Sequence, residues 1–393
     1  MPLHIKTLLS YVGAVGIISL ALFFFAYSDR TQTLTANNPA STTPSVELEV
    51  LTEIEPSPSS TPNTTQKEEA PQKESALVAS AASTSPPEEP VKGEENSDNA
   101  IMRIKNPYSF PPYSFDTVNL GARAAVVNIF CSPRSGSNKS IIGSGIFIDS
   151  RGIILTNAHV GQYVLLSGDP RVDLSCVIRH GSPSRALWRA EVLYIPPVWI
   201  EKHAGQITVE RSKGTGEHDY ALLRVTATLD GTPLLESFPT LPFDIRERIG
   251  FLDDTTLTVS YPAEFLNGAN AETLLYPVTS LAVIQELLTF RSGSVDLVSV
   301  GGVAGAQGGS SGGGIVNAWG YLIGIISTTS EGATTAERDL RAITLYYIDR
   351  DLKAERGSSL AELLSGDIAA KAASFKIEEA PALIDLLVEE LSP

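Results

Sequence analysis

The 393-residue chain is long enough for one or two domains with a proper core, and its formal net charge of −16 argues against a nucleic-acid partner, which would call for a basic surface. The acidity sits at the ends: residues 31–100 carry twelve acids against three lysines and 351–393 nine acids against four bases, whereas 101–350 is nearly neutral. Two cysteines, Cys131 and Cys176, with no Cys-x-x-Cys, are too few for a structural zinc site, and no metal or cofactor is called for. They form either one disulfide outside the cytosol or two buried thiols.

In chain order, residues 7–27 (TLLSYVGAVGIISLALFFFAY) are uncharged and long enough to span a bilayer as a helix. Lys6 and the amino terminus precede this run, while Asp29 and Arg30 cancel after it, which places the N-terminus in the cytoplasm and the remainder outside. A signal peptide cleaved near Ala26-Tyr27-Ser28 is the competing reading, and it also exports the rest. The expected division is a membrane anchor over 1–30, a linker over 31–106, a folded unit over 107–350 and a tail over 351–393. The linker, rich in Ser, Thr, Pro and Glu, cannot bury enough apolar surface to offset the entropy of ordering, so it reads as a disordered tether.

Order resumes near Tyr108. NLGARAAVVNIFC (119–131) begins as a helical turn and becomes a strand. IIGSGIFID (141–149) and IILTNAHV (153–160) read as a hairpin, with His159 where the second strand gives way to a small-residue turn. Strands follow at 174–179, 186–195 and 220–225, with an exposed loop expected over Pro196 to Glu217. A second block comprises 256–262, 274–287, 295–300 and, after a glycine-rich stretch, 315–317, 321–325 and 342–348. Many short strands with turn signals and few helical periods predict an all-β barrel or sandwich. The tail, from SLAELL through ALIDLLVEEL, has helical spacing, either packed on the barrel or as a separate appendage.

The glycine-rich stretch AGAQGGSSGGGIVNAWGYLIGI (304–325) brackets Ser310 and Ser311 and runs straight into apolar strands, which a flexible linker would not do. Glycines on both sides let the backbone turn tightly and approach a substrate, and attack on a carbonyl needs a hydroxyl at such a turn with N–H groups aimed at the oxyanion. A serine hydroxyl is a poor nucleophile without a base, so a histidine and an acid are required elsewhere. Of the five histidines, His4 precedes the apolar segment, His180 and His203 lie in polar loop settings, and His218 would point away from Asp219 in an extended segment. His159 alone ends a hydrophobic strand among small neighbours. Asp219 opens the apolar run YALLRV, where a charge needs a partner or caps a turn.

Three blocks, GSGIFIDSRGIILTNAHV (143–160), DYALLRV (219–225) and GGSSGGGIVNAWGYLIGI (308–325), resemble the signature blocks of trypsin-like serine proteases in the same order, and are most similar to the bacterial high-temperature-requirement type. The resemblance covers roughly 118–350 and implies two six-stranded antiparallel β-barrels with the site between them and a boundary near 232–245. By this similarity His159 is the general base, Asp219 its orienting acid and Ser311 the nucleophile. Gly309 and Ser311 supply the oxyanion N–H groups, Gly305 floors the primary pocket, and Ser327, Thr328 and Thr329 form one wall. No acid at the floor implies small or medium apolar side chains over Lys or Arg, although Glu331 lies close in sequence. Gly314 replaces the family's proline, the 159–219 interval is long, and 351–393 is too short for the peptide-binding domain that often follows such proteases. The implied activity is that of an extracytoplasmic, membrane-tethered endopeptidase on proteins or peptides. The alternatives are a catalytically silent binding module of the same fold and a structural envelope protein.

Overall fold

The computed structural model of the chain describes residues 103–392, apart from 105, 136–139, 210–213, 248, 267, 292, 331 and 333, together with the two-residue strand β1 (Val91–Lys92). The expected membrane helix and most of the linker lie outside the described residues, among which no helix is long and apolar enough to cross a membrane.

Helix α1 (Phe115–Ala125) begins where the Ser114 hydroxyl accepts the Thr117 N–H, with Asp116 in the first turn favoured by the helix dipole. It leads directly into β2 (Val126–Ser132), as the change from helical to strand patterning predicts. The hairpin follows as β3 (Ile141–Asp149) and β4 (Ile153–Thr156), then α2 (Ala158–Leu166), β5 (Ser175–His180), β6 (Arg185–Tyr194), α3 (Pro197–His203) and β7 (Ala221–Thr228). These six strands close into a barrel in the order β2-β3-β4-β7-β6-β5. Cys131 lies opposite Cys176 in the β2–β5 ladder and the two are disulfide-bonded, which resolves the open choice between bridge and thiols.

The second block contains β8 (Thr255–Ser260), α4 (Gly268–Thr273), β9 (Val278–Val283), β10 (Glu286–Thr289), β11 (Leu297–Ser299), β12 (Gly314–Asn317), β13 (Leu322–Thr329) and β14 (Leu340–Thr344). Its order is β1-β10-β11-β14-β13-β12-β8-β9, an eight-stranded sheet shaped as a half-barrel. The expectation of two six-stranded barrels is therefore met by the first block alone. The connection between β7 and β8, from Thr228 to Thr255, contains the expected boundary at 232–245.

Three local expectations fail for identifiable reasons. The strand expected through Val160 stops at Thr156, and His159 instead lies in the first turn of α2, whose apolar run AHVGQYVLL is buried on nearly every side. A short, uniformly apolar segment does not distinguish strand from helix by periodicity. The expected exposed loop after Pro196 contains α3, in which a proline opens the helix and Trp199 and Ile200 are buried. The last expected strand ends at Thr344, whose hydroxyl accepts the Tyr347 N–H and starts α5 (Leu345–Arg356), so LYYI is helical.

The tail continues as α6 (Leu360–Leu363), α7 (Ile368–Glu378) and α8 (Ala380–Leu391). It packs on the first barrel: Phe375 of α7 is fully buried and meets Tyr194 of β6 edge-on, while Arg151 donates to the carbonyls of Leu364 and Gly366. The helical tail is thus part of the same core and not a separate appendage.

Candidate active site

The loop before β7 and the start of α2 meet around Asp219. Its Oδ1 accepts the backbone N–H of His159 at 2.9 Å, and its Oδ2 lies 2.8 Å from His159 Nδ1. A carboxylate only accepts, so Nδ1 carries the proton and Nε2 is left with a lone pair. Asn157, just before α2, donates its side-chain N–H to the Asp219 carbonyl at 2.9 Å, so one turn of chain fixes both partners. The Asp219 side chain is 7% exposed and that of His159 27%, which leaves the ring edge accessible.

Burial disfavours the charged imidazolium, but the Asp219 charge and hydrogen bond outweigh it and raise the His159 pKa above its ordinary value. For Asp219, burial acts to raise the pKa, and the His159 charge, the two His159 bonds and Ser327 together bring it below the usual carboxylate value. Ser327 was expected only as a pocket wall. Its Oγ donates to Asp219 Oδ2 at 2.8 Å, adding a hydrogen bond that linear reasoning does not reveal.

The glycine-rich turn reaches this site from the other sheet. Ser144 N–H of β3 donates to the Ser311 carbonyl at 2.7 Å, and Gly312 N–H donates to the carbonyl of Ile326, next to Ser327. Gly312, at φ +83°, fits because a Cβ there would come within 2.1 Å of the Ser144 carbonyl oxygen and 2.3 Å of Thr156 Oγ1. The Ser311–Gly312 turn is therefore held between β3 and β13, the strand whose Ser327 is bonded to Asp219. Among the described residues no hydrogen bond joins the Ser311 hydroxyl to the imidazole; in unliganded sites such bonds are often long and tighten with substrate. The two serines differ in setting: Ser310 is buried and its Oγ accepts from Ser260, while Ser311 is half-buried.

Gly309, at φ +93°, is packed so closely that a Cβ would lie 2.8 Å from the Tyr261 carbonyl oxygen. Its own carbonyl accepts from Ser144 Oγ at 2.8 Å, and the same Oγ accepts the Tyr261 N–H at 2.9 Å. Among the described residues the N–H groups of Gly309 and Ser311 donate to no carbonyl, as an oxyanion site requires. Ser144 was not singled out in the sequence; its position inside the GSGIFID block, opposite the glycine turn, was the available signal. Gly305 lies beside the Ser260 hydroxyl, Thr328 and Thr329 end β13, and Glu331 lies outside the described residues. A cavity of about 220 Å³ opens beside His159, walled by Ile142, Tyr163, Trp199 and His203. The helix in the long 159–219 interval thus shapes the surface next to the imidazole.

Residues 143–325 match the sequence model of the trypsin-like peptidase domain. The chain carries a trypsin-like peptidase domain. No curated protein matches the chain in sequence. Among solved structures, the peptidase chain is similar to a serine endoprotease from Yersinia pestis, at 20% identity and a TM-score of 0.39 over 63% of this chain and 70% of that one. All three candidate residues, His159, Asp219 and Ser311, fall inside the matched peptidase region.

Proposed function

We propose that the chain is a serine endopeptidase in which His159, Asp219 and Ser311 act as a triad through an acyl-enzyme. The observation that carries this is His159 held by one carboxylate at both its backbone N–H and its imidazole Nδ1, which leaves Nε2 free, in the site that receives the glycine-bracketed Ser311. As the Ser311 oxygen attacks the scissile carbonyl carbon, its proton passes to His159 Nε2. Asp219 stabilises the resulting imidazolium, and the N–H groups of Gly309 and Ser311 receive the oxyanion. The tetrahedral intermediate collapses, the C–N bond breaks, and His159 gives its proton to the leaving amine. Water, deprotonated by the same imidazole, then cleaves the ester.

Substrates are proteins or peptides, with small or medium apolar side chains in a pocket floored by Gly305 and walled by Ser327, Thr328 and Thr329. The apolar segment 7–27 anchors the chain with the peptidase domain outside the cytoplasm, and 31–106 serves as its tether up to Val91–Lys92, which is no free linker but pairs with β10. The disulfide supports an oxidising compartment. A second reading, a silent binding module, takes its support from the missing Ser311–His159 hydrogen bond. Reaction with a fluorophosphonate separates the two: the enzyme is labelled and Ser311→Ala is not, whereas an unlabelled wild type that also leaves casein intact favours the binding module.

A further inference from the structure

Beside the candidate active site, and not part of it, lies a cluster of two buried groups and one exposed carboxylate where the chain just before Asp219 meets α5. His218 is 4% exposed and has a left-handed backbone at φ +58°. Its N–H donates to the Tyr347 hydroxyl at 3.0 Å, and its Nδ1 lies 2.9 Å from Asp351 Oδ2. Glu355, one turn after Asp351 on α5, brings a third ligand atom, and the three donors of His218, Asp351 and Glu355 lie within 4.8 Å of one another. Glu217 stands 3.8 Å from the other imidazole nitrogen. Three carboxylates thus surround one imidazole, with Arg356 nearby but bonded to Glu379. The last element is Tyr220, wholly buried, whose hydroxyl faces the Asp351 carboxylate.

We infer that His218, Asp351 and Glu355 bind a divalent transition-metal cation of the zinc class. One imidazole and two carboxylates are a ligand set that suits zinc, and zinc–nitrogen and zinc–oxygen bonds of about 2.0–2.2 Å put neighbouring ligand atoms roughly 3.3 Å apart in a tetrahedron. The His218–Asp351 separation, now bridged by a proton, is already close to that, so a cation displaces the proton with little movement. The fourth position falls to water. The cation's charge offsets the excess of carboxylates. Binding ties the residue preceding Asp219 to the tail helix across 133 positions of chain, and nothing in the linear sequence signals it.

Cation binding does not depend on peptide cleavage, so the two readings fail separately. The test uses the full chain, stripped with a chelator and titrated with zinc chloride by calorimetry, with metal content read by plasma mass spectrometry. One zinc per chain is expected in the wild type and in Ser311→Ala, with binding at least tenfold weaker in Asp351→Asn and Glu355→Gln. Glu355 is exposed, so its replacement leaves the fold intact. Absence of saturable binding, or wild-type affinity in Glu355→Gln, overturns the site and leaves His218 and Asp351 as an ordinary buried pair.

Discussion

Ser327 and His159 share one oxygen: both the Ser327 hydroxyl and His159 Nδ1 lie 2.8 Å from Asp219 Oδ2, although Ser327 comes from the other sheet. The carboxylate is thereby held from both halves of the peptidase domain. A hydrogen bond to a charged group contributes about 1.5–3 kcal/mol, so Ser327→Ala should lower kcat roughly tenfold or more. Losing this donor also leaves more negative charge for the imidazole, so the acid limb of kcat/KM should move to higher pH. An unchanged pH profile would show that Ser327 only lines the pocket.

The two neighbouring serines give a direct comparison. Ser311→Ala should abolish cleavage, by on the order of 10⁶-fold as for other triad nucleophiles. Ser310→Ala removes only the acceptor for Ser260, and activity should stay within about tenfold, since one neutral hydrogen bond contributes ~1 kcal/mol. Equal loss in both variants, measured on one peptide substrate, would mean that the assignment to Ser311 is wrong or that Ser310 shapes the turn.

The acid limb of the pH profile follows from the His159–Asp219 pair. The imidazole must be neutral to accept the Ser311 proton, and its pKa is raised above 6.5, so kcat/KM should rise with pH through an apparent value above that. The stability consequence has two signs. The raised His159 value contributes stability that is full below the unfolded-state pKa and is lost as pH rises through the folded one. The lowered Asp219 value contributes stability above its unfolded-state pKa that is lost as pH falls through the folded one. Denaturant midpoints of wild type and Asp219→Asn should therefore converge as pH falls through the folded-state value of Asp219 and stay apart at alkaline pH.

The Cys131–Cys176 bridge closes a loop with a sequence separation of 45. Loop-closure entropy for that length corresponds to about 4 kcal/mol, so Cys131→Ser with Cys176→Ser should lower Tm by many degrees. A Tm unchanged within error would show that the β2–β5 ladder alone holds these strands.

Much of this was legible in the sequence where period and punctuation agree. The change from GARAA to VVNIFC marked the junction of α1 and β2, although α1 starts four residues before the expected turn, and three ordered blocks named the dyad that the structure joins at 2.8 Å. What failed was local and apolar: AHVGQYVLL is equally consistent with strand and helix until its neighbours bury every face. Ser327, Ser144 and His218 escaped because their partners lie 108, 165 and 133 positions away and carry no periodic signature. Long-range hydrogen bonds are written into a fold and not into a window of residues.

Ser144 is the sharpest case. Its hydroxyl sits between the Gly309 carbonyl and the Tyr261 N–H, so one oxygen of the first barrel holds the Gly309–Ser310 peptide of the glycine-rich turn in the second sheet. Ser144→Ala leaves the buried Tyr261 N–H without an acceptor, which costs about 1–3 kcal/mol, and frees the Gly309 peptide to rotate. Oxyanion stabilisation acts in the transition state, so kcat should fall by roughly 10–100-fold with KM little changed. Fluorophosphonate labelling of Ser311 should slow in proportion. A variant with lowered Tm but wild-type kcat would show that Ser144 joins the two halves of the domain without holding the turn.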